Sequence, residues 1–575
     1  MVLKTFASPE WRLDKPIHTE RPVRVICIGA GASGLQLAYK LQKHISNFSL
    51  TVYEKNPEVS GTWYENKYPG CACDVPSHNY TYSFEPKTDW SGLYGTGQEI
   101  FTYFNDFADK YGLRRYIKTQ HQVVGAKWTG SGWKVTIKNL ITGEIVNDTC
   151  DILVNAAGFL NNWKWPDIPG LDKYKGALLH SANWDETVDL KGKTVGLIGN
   201  GSSGIQILPA IQPIAQKVIH FMRNANWVAA LPGGEGRQYS EEEKRRFAEE
   251  PGHLLAYRRR VERGNNALLP VFIKGSDANK KLGEYMFNTM KEKLAGNKEL
   301  EEKLIPNWAV GCRRLTPGPG YLEAFAEPNV QVVFSGVTEV TERGCKCEDG
   351  TQYDVPDVLI CATGFDVSYR PRFPIVAGDK NLQDVWAEDP ESYLGLAVAD
   401  FPNYFMIFGP NCPIGNGPLL PGVEAQTDYM VKMIDHWQTH NIRTFTPDAA
   451  AVRDFIAYRD QFMPKTVWAD ACKAWYKSNG KVTALWCGST LHYLEAIRQI
   501  RFEDWKFEYE GNRFTYLGNG QSQTETNPDA DHAYYIRNED DDLPLARNKM
   551  TNIINKTSVA VVAENSGEGV FFSGI

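Results

Sequence analysis

No apolar run in the 575 residues reaches the roughly 18 that a membrane-spanning helix needs. Residues 1–20 carry charges, Trp11 and prolines instead of the apolar core of a signal peptide, and read as an irregular arm. Basic charge is not in excess. Against 69 Asp and Glu stand 62 Lys and Arg, a net charge of −7, which gives no reason to expect nucleic acid or an anionic membrane as partner. HExxH, GxSxG and the lysine-bearing phosphate loop are all missing, which removes zinc-protease, serine-hydrolase and P-loop chemistry. The 11 cysteines are an odd number at irregular spacing. Cys71-x-Cys73 and Cys345-x-Cys347 lack nearby histidines and a second CxxC, and the first helix carries no CxxxxC. Reduced thiols in a cytoplasmic protein are expected, with neither a disulfide frame nor a metal site.

What is present is the composition of a soluble globular protein, 42% apolar and 23% charged, too long for one core. Two or three domains are expected. The most organised stretch runs from Arg24 to Glu54. Val25-Ile26-Cys27-Ile28 is a buried strand, and Gly29-Ala30-Gly31-Ala32-Ser33-Gly34 is a glycine turn. A helix follows with Leu37, Ala38, Leu41 and Ile45 on one face, then a second strand closing on Glu54. Gly29 permits the sharp turn, Gly31 lets a pyrophosphate approach the backbone, and Gly34 lets the helix pack against the sheet. The helix start presents unpaired N–H groups to phosphate. Glu54 is placed to accept from a ribose diol.

A second pattern begins at Lys193. Thr194 to Ile198 is a strand, Gly199-Asn200-Gly201-Ser202-Ser203-Gly204 the turn, Ile205 onward a helix, and Val218 to Met222 the next strand. Pro209 and Pro213 predict a short or kinked helix. This second strand leads to Arg223 where the first leads to Glu54. A carboxylate suits a free 2′-hydroxyl and a guanidinium suits a 2′-phosphate, so an FAD-like or NAD-like site and an NADPH site are expected. Asp151-Ile152-Leu153-Val154-Asn155-Ala156-Ala157-Gly158-Phe159 has an echo at Asp357-Val358-Leu359-Ile360-Cys361-Ala362-Thr363-Gly364-Phe365. Each is expected to be the last strand of a nucleotide-binding unit, where the chain crosses over. Elsewhere, 98–111 reads as a helix, 122–135 as strands around Gly130-Ser131-Gly132, and 240–305 as charged helices. Gly409 to Gly422 reads as a loop, either over a cofactor or plain, and the tail carries an acidic run, Glu539-Asp540-Asp541-Asp542.

Tyr174-x-Gly176-x-x-x-His180-x-x-x-Trp184-Asp185 resembles the fingerprint of Baeyer–Villiger monooxygenases, a branch of the class B flavoprotein monooxygenases. The first aromatic is usually Phe. Gly61-Thr62-Trp63 with Tyr68-Pro69-Gly70 and Asp74 looks like the family's second fingerprint, and Cys361-Ala362-Thr363-Gly364-Phe365-Asp366 like a motif of the wider class. The resemblance spans about residues 22–510. It implies an α/β fold of two Rossmann-like dinucleotide-binding domains with a helical insertion. The FAD-binding domain (21–160 and 350–575) would be split by an NADP-binding domain (161–349) carrying the insertion at about 240–305.

It further implies FAD and NADPH as cofactors, and a small-molecule ketone and O2 as substrates. Reduced flavin and oxygen would form a C4a-peroxide whose anion attacks the ketone, giving an ester or lactone. The resemblance places the active guanidinium at Arg314 in Gly311-Cys312-Arg313-Arg314, with Asp74 positioning it and Arg313 on the nicotinamide nucleotide. The candidate cofactor-binding residues are Gly29, Gly31, Ala32, Ser33, Gly34, Glu54, Thr62, Trp63, Ala72, Cys73, Asp74, Tyr80, Val123, Asn200, Gly201, Ser202, Ser203, Gly204, Ile205, Gln206, Arg223, Asn224, Arg313, Arg314 and Trp475. Gly176, His180 and Trp184 form a candidate hinge. Aromatic richness and the length of the insertion suggest a bulky secondary-metabolite ketone. Three alternatives stay open: a class B enzyme oxygenating nitrogen or sulfur, a two-dinucleotide disulfide reductase, disfavoured by the missing redox thiols, and a non-catalytic flavin- or nicotinamide-binding sensor.

Overall fold

The structure is a computed structural model that describes residues 13–229, 236–413, 415–478 and 480–536. The acidic run at 539–542 and most of the arm lie outside the described residues. The chain runs β1 (Val23–Ile28), α1 (Ala32–His44), β2 (Phe48–Tyr53), α2 (Gly97–Lys110), β3 (Ile117–Lys118) and β4 (Ile152–Asn155). It crosses to β5 (Ala177–His180), β6 (Thr194–Ile198), α3 (Ser202–Ile211) and β7 (Lys217–Phe221). The insertion holds α4 (Glu241–Glu249), α5 (His253–Asn266), α6 (Asp277–Lys293) and α7 (Lys298–Leu304). Then come β8 (Val330–Val333), β9 (Val358–Cys361), β10 (Tyr404–Met406) and α8 (Leu420–Thr439).

Two five-stranded sheets result, in the orders β10-β4-β1-β2-β3 and β5-β9-β6-β7-β8. Every pairing in both is parallel. The two sequence echoes, β4 and β9, take the same place in each, beside the first strand of the glycine motif. Each unit has three layers, because a parallel sheet buries both faces. In β1, Val25 and Cys27 join the cluster containing Leu35, Leu37 and Ala38 of α1. The alternating Ile26 and Ile28 face Trp133, Val135 and Ile137 instead. Those belong to an antiparallel meander, His121–Trp128, Trp133–Asn139 and Ile145–Cys150. The second sheet repeats the plan: Val195 and Leu197 pack toward α3. Ile198 packs on Val340, Cys345 and Val355 of a second antiparallel meander.

β9 pairs with β5 and β6, so it belongs to the second sheet. A parallel neighbour for β6 can be reached only by a long crossover, here supplied by the insertion and the meander. After β9 the chain rejoins the first unit at Ile375–Ala377, which pairs with the His121–Trp128 strand, and then the first sheet at β10. The expected helix at 98–111 is α2, held by a capping box between Thr96 and Glu99. α3 is short, with Pro209 inside it and Pro213 beyond its end.

The cysteines depart from expectation. Cys312 and Cys472 form a disulfide with a Cα–Cα distance of 6.3 Å, while the other nine are free. The expectation of reduced thiols throughout is corrected for this pair. The two are 160 residues apart and meet only because the arginine loop packs against the 470–477 segment. Among the described residues no helix is long and apolar enough to cross a membrane.

The glycine turns generate a test. A Cβ on Gly34 would lie 2.0 Å from the Gly29 carbonyl oxygen, and one on Gly204 would lie 2.1 Å from that of Gly199. At Gly201 nothing lies within 4 Å. Gly204→Ala is expected to cost roughly 1–3 kcal/mol in urea unfolding, whereas Gly201→Ala should stay within about 1 kcal/mol of the parent.

Candidate active site

Both glycine turns are held open in the same way. Gly29 and Gly199 adopt φ of 99° and 104°, where a side chain is strained. Beneath them lie the echo residues: a Cβ on Gly29 would meet the Ala156 oxygen at 2.8 Å, and one on Gly199 the Ala362 oxygen at 2.5 Å. α1 and α3 start from Gly31 and Gly201, neither of which caps the helix with a side chain. Other helices do have such a cap, from Thr96, Ser240, Ser276 or Asn297. Uncapped N–H groups next to a Cβ-free approach fit a phosphate. Ala32 and Ser33 sit in the first turn of α1, and Ser203 and Ile205 in that of α3.

At the end of β2, Glu54 is buried and accepts from the backbone N–H of Ala30 (2.7 Å) and Asn56 (2.8 Å). Burial is the main reason its pKa is raised, and donors from a ribose diol would offset that cost. His121 donates from its N–H to the Glu54 carbonyl (2.8 Å), which brings the strand holding the buried Val123 to the same edge. At the second site Arg223 is exposed and has no ionic or hydrogen-bonding partner among the described residues. Asn200 reaches across to the Asn224 carbonyl (2.7 Å), fixing the loop after β7 against the turn. The structure thus has a buried carboxylate after β2 and an exposed guanidinium after β7.

The Gly61–Asp74 segment joins the units. Gly61 backs onto Gly31, and Ser60 N–H donates to the Ala30 carbonyl (3.1 Å). Thr62 and Trp63 open a short helix, and the Trp63 indole donates to the Tyr80 hydroxyl (3.2 Å). Gln206 of α3 accepts from the Tyr68 hydroxyl (2.7 Å) and donates to the Ala72 carbonyl (2.9 Å). Gly70, at φ 82°, has no room for a Cβ, which would sit 2.4 Å from the Gln206 oxygen. Tyr68 was quoted in the motif but is absent from the sequence-based site set; its role needs α3 beside it. Cys73 is buried, and burial raises its thiol pKa. The loop bearing Tyr80 is gripped from the insertion. Arg258 of α5 donates to the carbonyls of His78 (2.9 Å) and Ser83 (3.0 Å), and Asn79 donates to Glu262 (2.7 Å).

Asp74 lies on the Ala72–Pro76 strand, and from there it meets Arg314 across 240 residues of sequence. The pair is bidentate: Nε donates to Oδ2, and Nη2 to Oδ1 at 2.8 Å. The Asp74 charge is the largest cause raising the Arg314 pKa, so the guanidinium stays charged. Its neighbour Arg313 is differently placed. The Arg313 guanidinium lies 5.3 Å from the Trp308 ring and donates weakly to the Ala225 carbonyl (3.4 Å), and its buried Nε has no partner. A desolvated, underpaired cation beside the second turn fits an anionic ligand. Ser202 bonds Thr316 (2.8 Å), tying α3 to the strand after the arginine loop. Trp475 stacks on Phe159 (ring centroids 5.4 Å apart), close to the first echo.

Gly176, His180 and Trp184, the candidate hinge, lie around β5, where the chain crosses to the second sheet. Gly176 is forced by space, since a Cβ would meet the Asp357 oxygen at 2.5 Å. Tyr174, where Phe is usual, finds a partner for its hydroxyl in the Val355 carbonyl (2.8 Å). His180 is fully buried and stacked on Trp163 at 4.7 Å. Its Nδ1 accepts from the Ala182 N–H (3.1 Å), and its Nε2 lies 3.3 Å from the Thr363 hydroxyl in the second echo. The ring is therefore neutral and structural, and burial lowers its pKa to about 4. Trp184 is half-buried against the core.

Residues 27–95 match the NAD(P)-binding Rossmann-like domain. The chain is 40% identical over 547 residues to the FAD-binding monooxygenase tazF of Aspergillus terreus, covering 92% of this chain and 97% of that protein. It is 39% identical over 518 residues to the FAD-binding monooxygenase moxY of Dothistroma septosporum, covering 87% and 82%. Among solved structures, cyclohexanone monooxygenase from Rhodococcus sp. Phi1 bound to NADP+ superposes with a TM-score of 0.74 at 26% identity, covering 85% of this chain and all of that one. An oxidized steroid monooxygenase bound to NADP gives 0.73 at 28% identity over 85% of this chain.

His180 sets a pH dependence. A histidine held near pKa 4 in the fold but near 6.5 when unfolded leaves the unfolded state richer in protons as pH falls. Stability is full above pH 6.5 and lost between 6.5 and 4, by roughly 2–3 kcal/mol from this ring. The buried His78 and His220, also lowered to about 4 by burial, add to the same fall. Urea unfolding from pH 7 to 4.5 should show the drop, with a shallower slope in His180→Gln.

Proposed function

The chain belongs to the FAD-binding monooxygenases, and on that premise we propose that it is an NADPH- and O2-dependent Baeyer–Villiger enzyme. It would convert a ketone to an ester or lactone. The observation that carries this reading is the bidentate pair of Arg314 with Asp74 of the Ala72–Pro76 strand. FAD, held through Gly29 to Gly34 and Glu54, would supply hydride acceptance from NADPH and dioxygen activation, while the protein supplies placement and field. The first unit fits FAD through Gly29 to Gly34 and Glu54. The second fits NADPH through Gly199 to Gly204, Arg223 and Arg313. The domain division proposed is an FAD unit of residues 21–160 joined by the chain after β9, and an NADP unit between them with its helical insertion.

Asp74 engages Nε and Nη2 of Arg314, so Nη1 is the N–H edge left for a negatively charged reacting oxygen. Two opposite unit charges at ~4 Å interact by about 4 kcal/mol at an effective dielectric near 20. Asp74 gives back part of that field, yet it fixes the fork and keeps it charged before substrate arrives. Phe159 stacks between Tyr369 and Trp475, an apolar ring layer at the end of the first echo. An open pocket of about 410 Å³ lies between α6 and the segment that follows the insertion, lined by Trp227, Gly283, Phe287 and Trp308, and the Trp308 ring lies 5.3 Å from the Arg313 guanidinium. Together with the steroid monooxygenase among the structural relatives, this supports a bulky polycyclic ketone as substrate.

Arg314→Ala is expected to keep NADPH oxidation within about threefold of the parent and to lower ester or lactone yield at least a hundredfold. Turnover on ketone, amine and sulfide panels checks it. Unchanged lactone yield, or oxygenation confined to amines and sulfides, would overturn the reading. Arg223→Ala should raise KM for NADPH about tenfold and leave that for NADH nearly unchanged, by loss of the 2′-phosphate contact.

A further inference from the structure

The disulfide sits directly against the arginine loop. Cys312 is the residue before Arg313-Arg314, and Cys472 stands three residues before Trp475. Lys477 reaches both sulfurs, with Nζ 3.5 Å from Cys312 Sγ and 3.4 Å from Cys472 Sγ. The same ammonium donates to the Cys472 carbonyl (2.9 Å) and the Asp470 carbonyl, and the Tyr476 hydroxyl donates to the Cys312 carbonyl. Three links, the disulfide, Lys477 to the Cys312 sulfur and Tyr476 to the Cys312 carbonyl, thus fasten the 470–477 segment to the residue that precedes the two arginines.

The free cysteines are chemically different. Burial pushes the thiols of Cys71 and Cys347 up to about 11 and those of Cys345, Cys361 and Cys487 to about 12, so they stay protonated and unreactive. At the disulfide a cation already stands at the sulfurs. Lys477 is itself lowered to about 8, chiefly by burial and further by Arg313 and Lys274, with Asp470 opposing. A thiolate formed beside it would relieve that penalty. Accessibility is also asymmetric, since Cys312 is fully buried and Cys472 is 8% exposed.

We propose that Cys312–Cys472 is a reversible thiol–disulfide site, with Lys477 as its thiolate-stabilising cation, whose state sets how firmly the Arg313-Arg314 loop is held. The second half rests on the function proposed for that loop. In the reductive direction, a thiolate of a small or protein dithiol attacks Cys472 Sγ, on the less deeply buried of the two residues. The S–S bond breaks and its electron pair leaves on Cys312 Sγ beside the Lys477 ammonium. The dithiol's second thiolate then attacks its own sulfur in the mixed disulfide and releases Cys472 as thiolate. The dithiol becomes a disulfide, and the two protein thiolates take up its two protons. In the oxidative direction the co-reactant is hydrogen peroxide. Cys472 thiolate attacks one peroxide oxygen, the O–O bond breaks, and the departing hydroxide is protonated to water. Cys312 thiolate then attacks the sulfenic sulfur and expels the second oxygen as water. The arginine loop is covalently tied in one state and held by hydrogen bonds alone in the other.

The test uses the full-length FAD-loaded protein and dithiothreitol or hydrogen peroxide as probes. Peptide mass spectrometry, with thiols alkylated after acid quenching and denaturation, should find the 312 and 472 peptides joined after peroxide. After dithiothreitol applied to the native protein, the two peptides should be separate and both alkylated. Lys477→Met should slow reduction about fivefold, and Lys477→Arg should restore most of the rate. Product formed per NADPH consumed should differ at least threefold between the two states. Cys472→Ser and Cys472→Ala should both be insensitive to dithiothreitol. No joined peptide after peroxide, or a wild-type reduction rate in Lys477→Met, would overturn the site. Equal product per NADPH in both states would overturn its control of the loop. Because the alkylation readout is independent of turnover, it stands or falls separately from lactone formation by the Arg314 variants.

Discussion

Everything in the functional half of the molecule converges on a charge pair that spans 240 residues, Asp74 with Arg314. Neither member is useful alone. A lone half-buried guanidinium is costly to desolvate and free to swing, and a lone half-buried carboxylate would shift toward its neutral form. Joined by two N–H···O contacts they become a rigid, charged fork. The fork can form only if the Ala72–Pro76 strand of the first unit faces the loop that leaves the insertion of the second. The rest of the architecture arranges that meeting.

Three contacts do the arranging. Gln206 clasps Tyr68 and the Ala72 backbone from α3, and the missing side chain of Gly70 allows the approach. Arg258 and Glu262 of the insertion hold the 78–83 loop from the other side. The neutral, stacked His180 pins the crossover to the second echo. The fingerprint residues outside the glycine turns are therefore mostly joints. They are small where two backbones meet, and hydrogen-bonded where a buried linker would otherwise leave polar groups unpaired.

The two units are built on one plan, a helix over a five-stranded parallel sheet over an antiparallel meander. They differ where ligands differ. The first ends β2 in a buried carboxylate whose cost awaits hydrogen-bond donors, and the second follows β7 with an exposed guanidinium. Membership of the FAD-binding monooxygenases gives that difference its chemical meaning.

Local patterns were enough for the nucleotide-binding frames. Hydrophobic period, glycine spacing and the acid or base after the second strand act within about 30 residues, so β1, α1, β2 and β6, α3, β7 could be placed without coordinates. The echo strands were visible as strands, but not which sheet each would join, because a parallel partner is chosen across a long crossover. Arg314 and Asp74 were nameable by resemblance, but their bidentate contact was not. Tyr68 as a latch, Arg258 as a grip and above all Cys312 with Cys472 left no trace in spacing. Contacts separated by more than a hundred residues obey no local period, and only the packing of one unit on the other brings their atoms within bonding distance.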